Sequence, residues 1–247
     1  MRRWRRVFVA STAVVVLAVA SIAPYMTGST ELVRMRNALL LKHDPAADFS
    51  WSPAAPPADF MVERAMPSAH FRALVASLDL PRFANDWERA VAIAKLLRVH
   101  PESGSGEPIQ SNLEDTYARI VGTGKGYCGD YVRVYSALAL AAGIPVRSWA
   151  FSFDGFGGHG HIFNEIWDAS AHQWRMIDVF NNYYFEGADG EPLSALAFRK
   201  ALESGAADIR MLPVEARSQP GFRFPAKAWD YYRRGLPEWY MWWGNDV

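Results

Sequence analysis

Apolar positions recur at helical spacing through the first half of the chain and alternate from residue 146 onward, so the pattern predicts helices followed by strands. Residues 71–78 have helical spacing and stop before Pro81. Asn85-Asp86 offers an N-cap for a helix with Trp87, Ala90, Val91, Ala94, Leu96 and Leu97 on one face. The glycines and prolines of 100–108 mark a loop, after which Ser111-Asn112-Leu113-Glu114-Asp115 opens a short helix that turns Tyr117, Ile120 and Val121 inward and ends among Gly122, Gly124 and Gly126. A helix over 128–142 follows, its inner face Tyr131, Val134, Tyr135, Leu138 and Ala141, with Gly143 as C-cap before Pro145. Alternation over 146–153, 161–167 and 173–180 predicts an antiparallel meander with turns at 154–158 and 168–172. Residues 193–202 predict a further helix and 209–214 an extended segment. Helices and then strands in separate runs predict an α+β domain.

The amino terminus has a different pattern. Arg2, Arg3, Arg5 and Arg6 precede residues 7–23, which carry no charge and no proline before Pro24. This is the pattern of an export signal or an uncleaved signal anchor. Its 17 residues fall short of the roughly 20 that span a bilayer, and Ala18-Val19-Ala20 or Ser21-Ile22-Ala23 could be cut; Tyr25 and Met26 could instead extend the span to the interface. Either alternative puts the arginines in the cytoplasm and the rest beyond the membrane: in a bacterium, exported or anchored in the inner membrane facing the periplasm. The expected layout is a signal or anchor at 1–28, a linker at 29–59 (helical at 30–42, proline-rich at 44–57), a domain at 60–190 and an aromatic-rich extension at 191–247.

Composition narrows the function classes. The 247 residues are 50% hydrophobic and 14% aromatic, enough for a large core. Setting the four terminal arginines aside leaves 22 of the 26 basic residues against 26 acidic ones, a balance that gives no reason to expect nucleic acid. The final nineteen residues hold Trp229, Tyr231, Tyr232, Trp239, Tyr240, Trp242 and Trp243, which could dock as core, line a groove for a cell-envelope polysaccharide or touch a bilayer. A single cysteine excludes an internal disulfide framework and any zinc site of several cysteines.

That cysteine, Cys128, stands at the predicted start of a helix, where unpaired N–H groups and the dipole favour a thiolate. His161, at the start of a strand on the same face as Phe163 and Glu165, could serve as its base and later as acid to a leaving amine. Asp178, at the end of the next strand, could hold the imidazole tautomer. The Cys128 N–H offers one oxyanion donor; Tyr127, Gln110 and Asn112 are candidates for a second, and His159, between glycines, is a further substrate-side candidate. Glu165 reads as a structural ion-pair partner of Arg147 or another cation. Three readings stay open: a thiol enzyme on a peptide or protein amide, an inactive envelope protein that binds a peptide or polysaccharide, and a metal module built on His159 and His161 with Asp154 or His172. The first needs no cofactor and no metal.

At these residues the chain resembles the transglutaminase-like superfamily. The likeness runs through Gly126-Tyr127-Cys128-Gly129-Asp130-Tyr131, Gly143-Ile144-Pro145-Val146-Arg147, His161-Ile162-Phe163-Asn164-Glu165-Ile166 and Trp174 to Asp178. It implies a papain-like core, in which the cysteine helix packs on an antiparallel sheet, with Cys128 as nucleophile, His161 as base and Asp178 as orienting acid. Val179 stands where many members have proline after the aspartate. The superfamily includes transferases, deamidases, proteases, amidases and inactive members, so the resemblance implies a chemistry and leaves its outcome open.

Overall fold

The computed structural model describes residues 4, 11–19, 21, 49–63, 65–100, 104, 105, 109, 111–153, 160–219, 221–236 and 238–244. The segments expected at 30–42 and 154–158, with Gln110 and His159, lie outside them. Residues 11–19 are helical, with Val14, Val15, Val16, Leu17 and Val19 exposed. Among the described residues no helix is long and apolar enough to cross a membrane.

Four helices build one side of the body. α1 (Ala69–Ala76), α2 (Asp86–Lys95) and α3 (Leu113–Thr123) each begin with a side chain that accepts a backbone N–H, from Ser68, Asn85 and Asn112 respectively. Such caps satisfy amides that the first turn leaves unpaired. Of the glycines expected to end α3, Gly124 takes the left-handed conformation, with φ 67°. α4 (Cys128–Ala141) is the central helix. The sequence predicts one inner face for it, yet Val132, Ser136, Ala137 and Ala139 are buried as well, because α1, α2 and α3 contact α4 in addition to the sheet.

The short strands β1 (Gly104–Ser105) and β2 (Lys125–Gly126) pair in parallel just before α4. The main sheet contains β3 (Val146–Ser152), β4 (Gly160–Asp168) and β5 (Gln173–Ile177) as the predicted meander. Its third strand is shorter than 173–180, because Asp178 leaves β5 to bridge Tyr183. β6 (Tyr183–Glu186) and β7 (Arg210–Pro213) form a separate antiparallel pair, and α5 (Ala195–Ser204) lies between them in sequence. α6 (Pro225–Gly235) and β8 (Trp239–Met241) complete the chain's described elements, with β8 antiparallel to β3, giving the order β5-β4-β3-β8.

Alternation along the strands separates two cores. Ile166 and Ile177 join Val134, Leu138 and the helix layer, whereas Trp149, Phe151, Phe163 and Met176 face an aromatic layer with Phe185, Phe198 and Tyr232. Phe49, Trp51 and Phe60 pack on that second layer, so the proline-rich stretch after residue 49 runs along the body. Gly235 makes the close approach of α6 possible: a Cβ there would lie 2.3 Å from the Phe151 ring.

Candidate active site

Cys128 is the first residue of α4, so helix geometry gives its N–H no intrahelical partner. The turn that presents it is tied by Asp130, whose Oδ2 accepts the Tyr127 N–H at 2.7 Å and the Ile109 N–H at 3.2 Å. This commits the Tyr127 amide, while its side chain stays exposed. Asn112 is likewise committed, accepting from the Asp115 amide and donating to its carboxylate.

His161 opens the far side. It sits one residue into β4, opposite Phe151, and the preceding glycine leaves no room for a side chain: a Cβ on Gly160 would lie 2.0 Å from the Phe151 carbonyl oxygen. The imidazole is buried among Phe151, Phe163, Phe180, Tyr231 and Tyr232, with ring centroids 5.5 to 6.4 Å away. Its Nε2 lies 2.6 Å from Asp178 Oδ2. With Nε2 occupied, Nδ1 is the nitrogen left for the thiol, and it is buried with no hydrogen-bond partner of conventional geometry.

Asp178 is fully buried and held from several directions. Oδ1 accepts the Asn181 amide at 3.0 Å; Oδ2 accepts the Asn181 side-chain amide at 3.0 Å and the Tyr232 hydroxyl at 2.5 Å besides the imidazole. The paired backbone hydrogen bonds with Tyr183 fix its main chain. Asp178 thus both caps a turn onto Asn181 and orients the imidazole.

The electrostatics follow from that geometry. Burial pushes the Cys128 thiol up, but the neighbouring imidazole outweighs it and the net shift is downward. Burial opposes charge on His161 too; Asp178 first, then Cys128, reverse this and hold the imidazolium up to about 10. Burial raises Asp178, and the imidazole, Tyr232 and the Asn181 amide bring it below the usual carboxylate range. The three groups therefore favour thiolate, imidazolium and carboxylate together, a charge-separated state suited to nucleophilic attack.

The structure thus brings Cys128, His161 and Asp178 together with Tyr127 at the rim. Sequence reasoning did not find Asp130, Tyr231 or Tyr232 as parts of the site. Asp130 carried a signal, an acidic residue at the third helical position, where a carboxylate reaches back to the cap amide. Tyr231 and Tyr232 carried none, being one aromatic pair among many. Glu165 and Arg147 form the expected ion pair at 2.7 Å. Among the described residues no group of three or more His, Cys, Asp or Glu could hold a metal ion.

Comparison with curated proteins gave no match. Among solved structures, a proposed cysteine protease from Cytophaga hutchinsonii is 14% identical, covering 79% of this chain and 67% of that one, at a TM-score of 0.39, an overlap too loose to carry an argument. The family comparison is more informative, since the model of the transglutaminase-like superfamily matches residues 79–179, from just before α2 to just past Asp178. The segment that brings the thiol, the imidazole and the carboxylate together is thus the one that is similar to the transglutaminase-like superfamily.

Proposed function

We propose that this protein is a thiol enzyme that acts on a peptide or protein amide through Cys128, His161 and Asp178. The observation that carries the reading is the hydrogen bond of 2.6 Å between His161 Nε2 and Asp178 Oδ2, which leaves Nδ1 to a thiol whose pKa is lowered by the same imidazole. The Cys128 thiolate attacks the amide carbonyl, and the Cys128 N–H stabilises the developing oxyanion. The His161 imidazolium gives its Nδ1 proton to the amine as the C–N bond breaks, leaving a thioester. Neutral imidazole then takes a proton from water, or from a second amine, as it attacks; the C–S bond breaks and the thiolate returns.

The enzyme works, in this proposal, beyond a membrane, exported or held there by its amino-terminal segment. The exposed apolar side chains of residues 11–19 support that placement, and it is tested by membrane fractionation together with amino-terminal sequencing of the mature protein.

The chemistry is tested by labelling with iodoacetamide near neutral pH, which reads one thiol because the chain has one cysteine. Fast, stoichiometric labelling that slows at least about 100-fold in His161→Ala is expected. Cys128→Ala should lose all turnover of a peptide-amide substrate and keep its fold. Turnover at the parental rate in the alanine variant would sink the assignment.

A further inference from the structure

The family match ends at residue 179, but the hydrogen-bonding shell of Asp178 does not. Tyr232, on α6, sends its hydroxyl to Asp178 Oδ2 across 54 residues of sequence. The hydroxyl also accepts from the Asn181 side-chain amide at 3.3 Å. The ring is fully buried against His161, Phe151, Phe185 and Phe198, which leaves the hydroxyl little freedom to turn elsewhere.

We infer that Tyr232 is a positioning residue of the active site: its hydroxyl holds the Asp178 carboxylate ionised and aimed at His161, so the carboxy-terminal helix is a working part of the thiol machinery. The inference rests on the thiol-enzyme reading and deepens it.

The physical argument is a competition for one proton. Asp178 and His161 share a short hydrogen bond out of contact with water, and there the proton could rest on either partner. If it moved to the carboxylate, the imidazole would be neutral and the thiolate would lose its counter-charge. Each donor to Oδ2 stabilises the anion and keeps the proton on nitrogen. Other groups within electrostatic reach of the carboxylate are Arg98 from the turn that follows α2, Cys128 from α4, Tyr183 from β6 and Tyr231 from α6. Of these the tyrosines and the thiol place no hydrogen on the carboxylate, and Arg98 donates to the carbonyls of Phe180 and Gln219. The side-chain hydrogen bonds to Asp178 seen among the described residues come from His161, Asn181 and Tyr232.

The test is the pH dependence of iodoacetamide labelling of Cys128 in the full-length protein. The parent should show an acid limb below the ordinary thiol range. Tyr232→Phe, which removes one oxygen and keeps the ring, should move that limb upward by about one pH unit, and in an Asp178→Asn background the same change should move it no further. Site-specific replacement of Tyr232 by 3-fluorotyrosine gives a more acidic donor and should move the limb downward, a readout that survives if the phenylalanine variant does not fold. Packing alone would lower thermal stability and leave both limbs where they are; an unmoved limb in Tyr232→Phe and in the fluorotyrosine protein, or an undiminished shift in the Asp178→Asn background, overturns the inference. Should the parent show no acid limb below the ordinary thiol range, or label equally fast in His161→Ala, the thiol-enzyme reading fails and takes this inference with it. With the parental limb and the His161→Ala loss both present, an unmoved limb removes only the role of Tyr232.

Discussion

β4 carries two buried acid–base pairs four residues apart on one face, and they have different fates. Glu165 meets Arg147 at 2.7 Å, and His161 meets Asp178 at 2.6 Å. Around Glu165 both oxygens are used, one by Arg147 and the Trp149 indole, the other by the Ala195 amide at the start of α5. The guanidinium is enclosed by Trp174, Trp51 and Trp149, with centroids 4.0, 4.8 and 5.8 Å away. This pair cannot exchange protons near neutrality, because arginine stays charged. The His161–Asp178 pair is equally buried but ends in a titratable ring with one nitrogen left for a thiol. A closed pair fixes the fold, and an open pair can move a proton.

That contrast can be broken by exchanging what each pair is asked to do. Between the two carboxylates, Asp178→Asn should have the larger effect on turnover, a loss of about 10²- to 10⁴-fold in kcat, while Cys128 still labels and the protein still melts cooperatively. Wholesale unfolding of that variant would make Asp178 a structural residue like Glu165. Glu165→Ala should do the reverse, costing about 3–5 kcal/mol in denaturant unfolding because it strands a buried guanidinium, with the acid limb of Cys128 labelling unmoved. A shifted limb would mean that the two pairs are coupled along β4.

Titration sharpens the difference further. His161 is held up to about 10 from 6.5, so its contribution to stability is complete below about 6.5 and fades as pH rises through about 10. Asp178, held below its usual range, contributes above that range and loses its contribution in acid. Stability measured across pH should therefore fall in alkali in the parent, and this loss should flatten in His161→Ala; an unchanged alkaline fall would assign it elsewhere. The smallest effect is expected at the rim, where Asp130→Ala frees the Tyr127 and Ile109 amides. It should cost about 1–2 kcal/mol and lower kcat with less effect on the acid limb than Tyr232→Phe, since Asp130 holds the turn and does not touch the imidazole.

The helix caps, the meander and the order thiol, histidine, carboxylate were legible because each is written in neighbouring residues: Asn85 and Asn112 stand directly before their helices, and His161, Phe163 and Glu165 share a face by simple alternation. The Glu165–Arg147 pair was legible for the same reason, since the two residues sit directly opposite each other in the register of β3 and β4. What escaped was set by tertiary packing. β6, with Tyr183, Tyr184 and Phe185, has too few residues to show a period, and it becomes a strand by pairing with β7. β8 and Tyr232 lie in an aromatic run in which every residue looks equally suited to a core. Only the fold selects Tyr232 for the carboxylate and sets Tyr231 against the imidazole.

The close seat of α6, with Gly235 against the Phe151 ring, ties readiness for chemistry to the integrity of the whole chain. Cys128 and His161 lie in the middle of the sequence, but the hydroxyl bound to Asp178 comes from α6, 54 residues further along the chain. A molecule that frays at α6 keeps its thiol and loses one donor to the group that aligns the imidazole. On the proposed function, copies that lose the seat of α6 would be weakened as catalysts before they are unfolded.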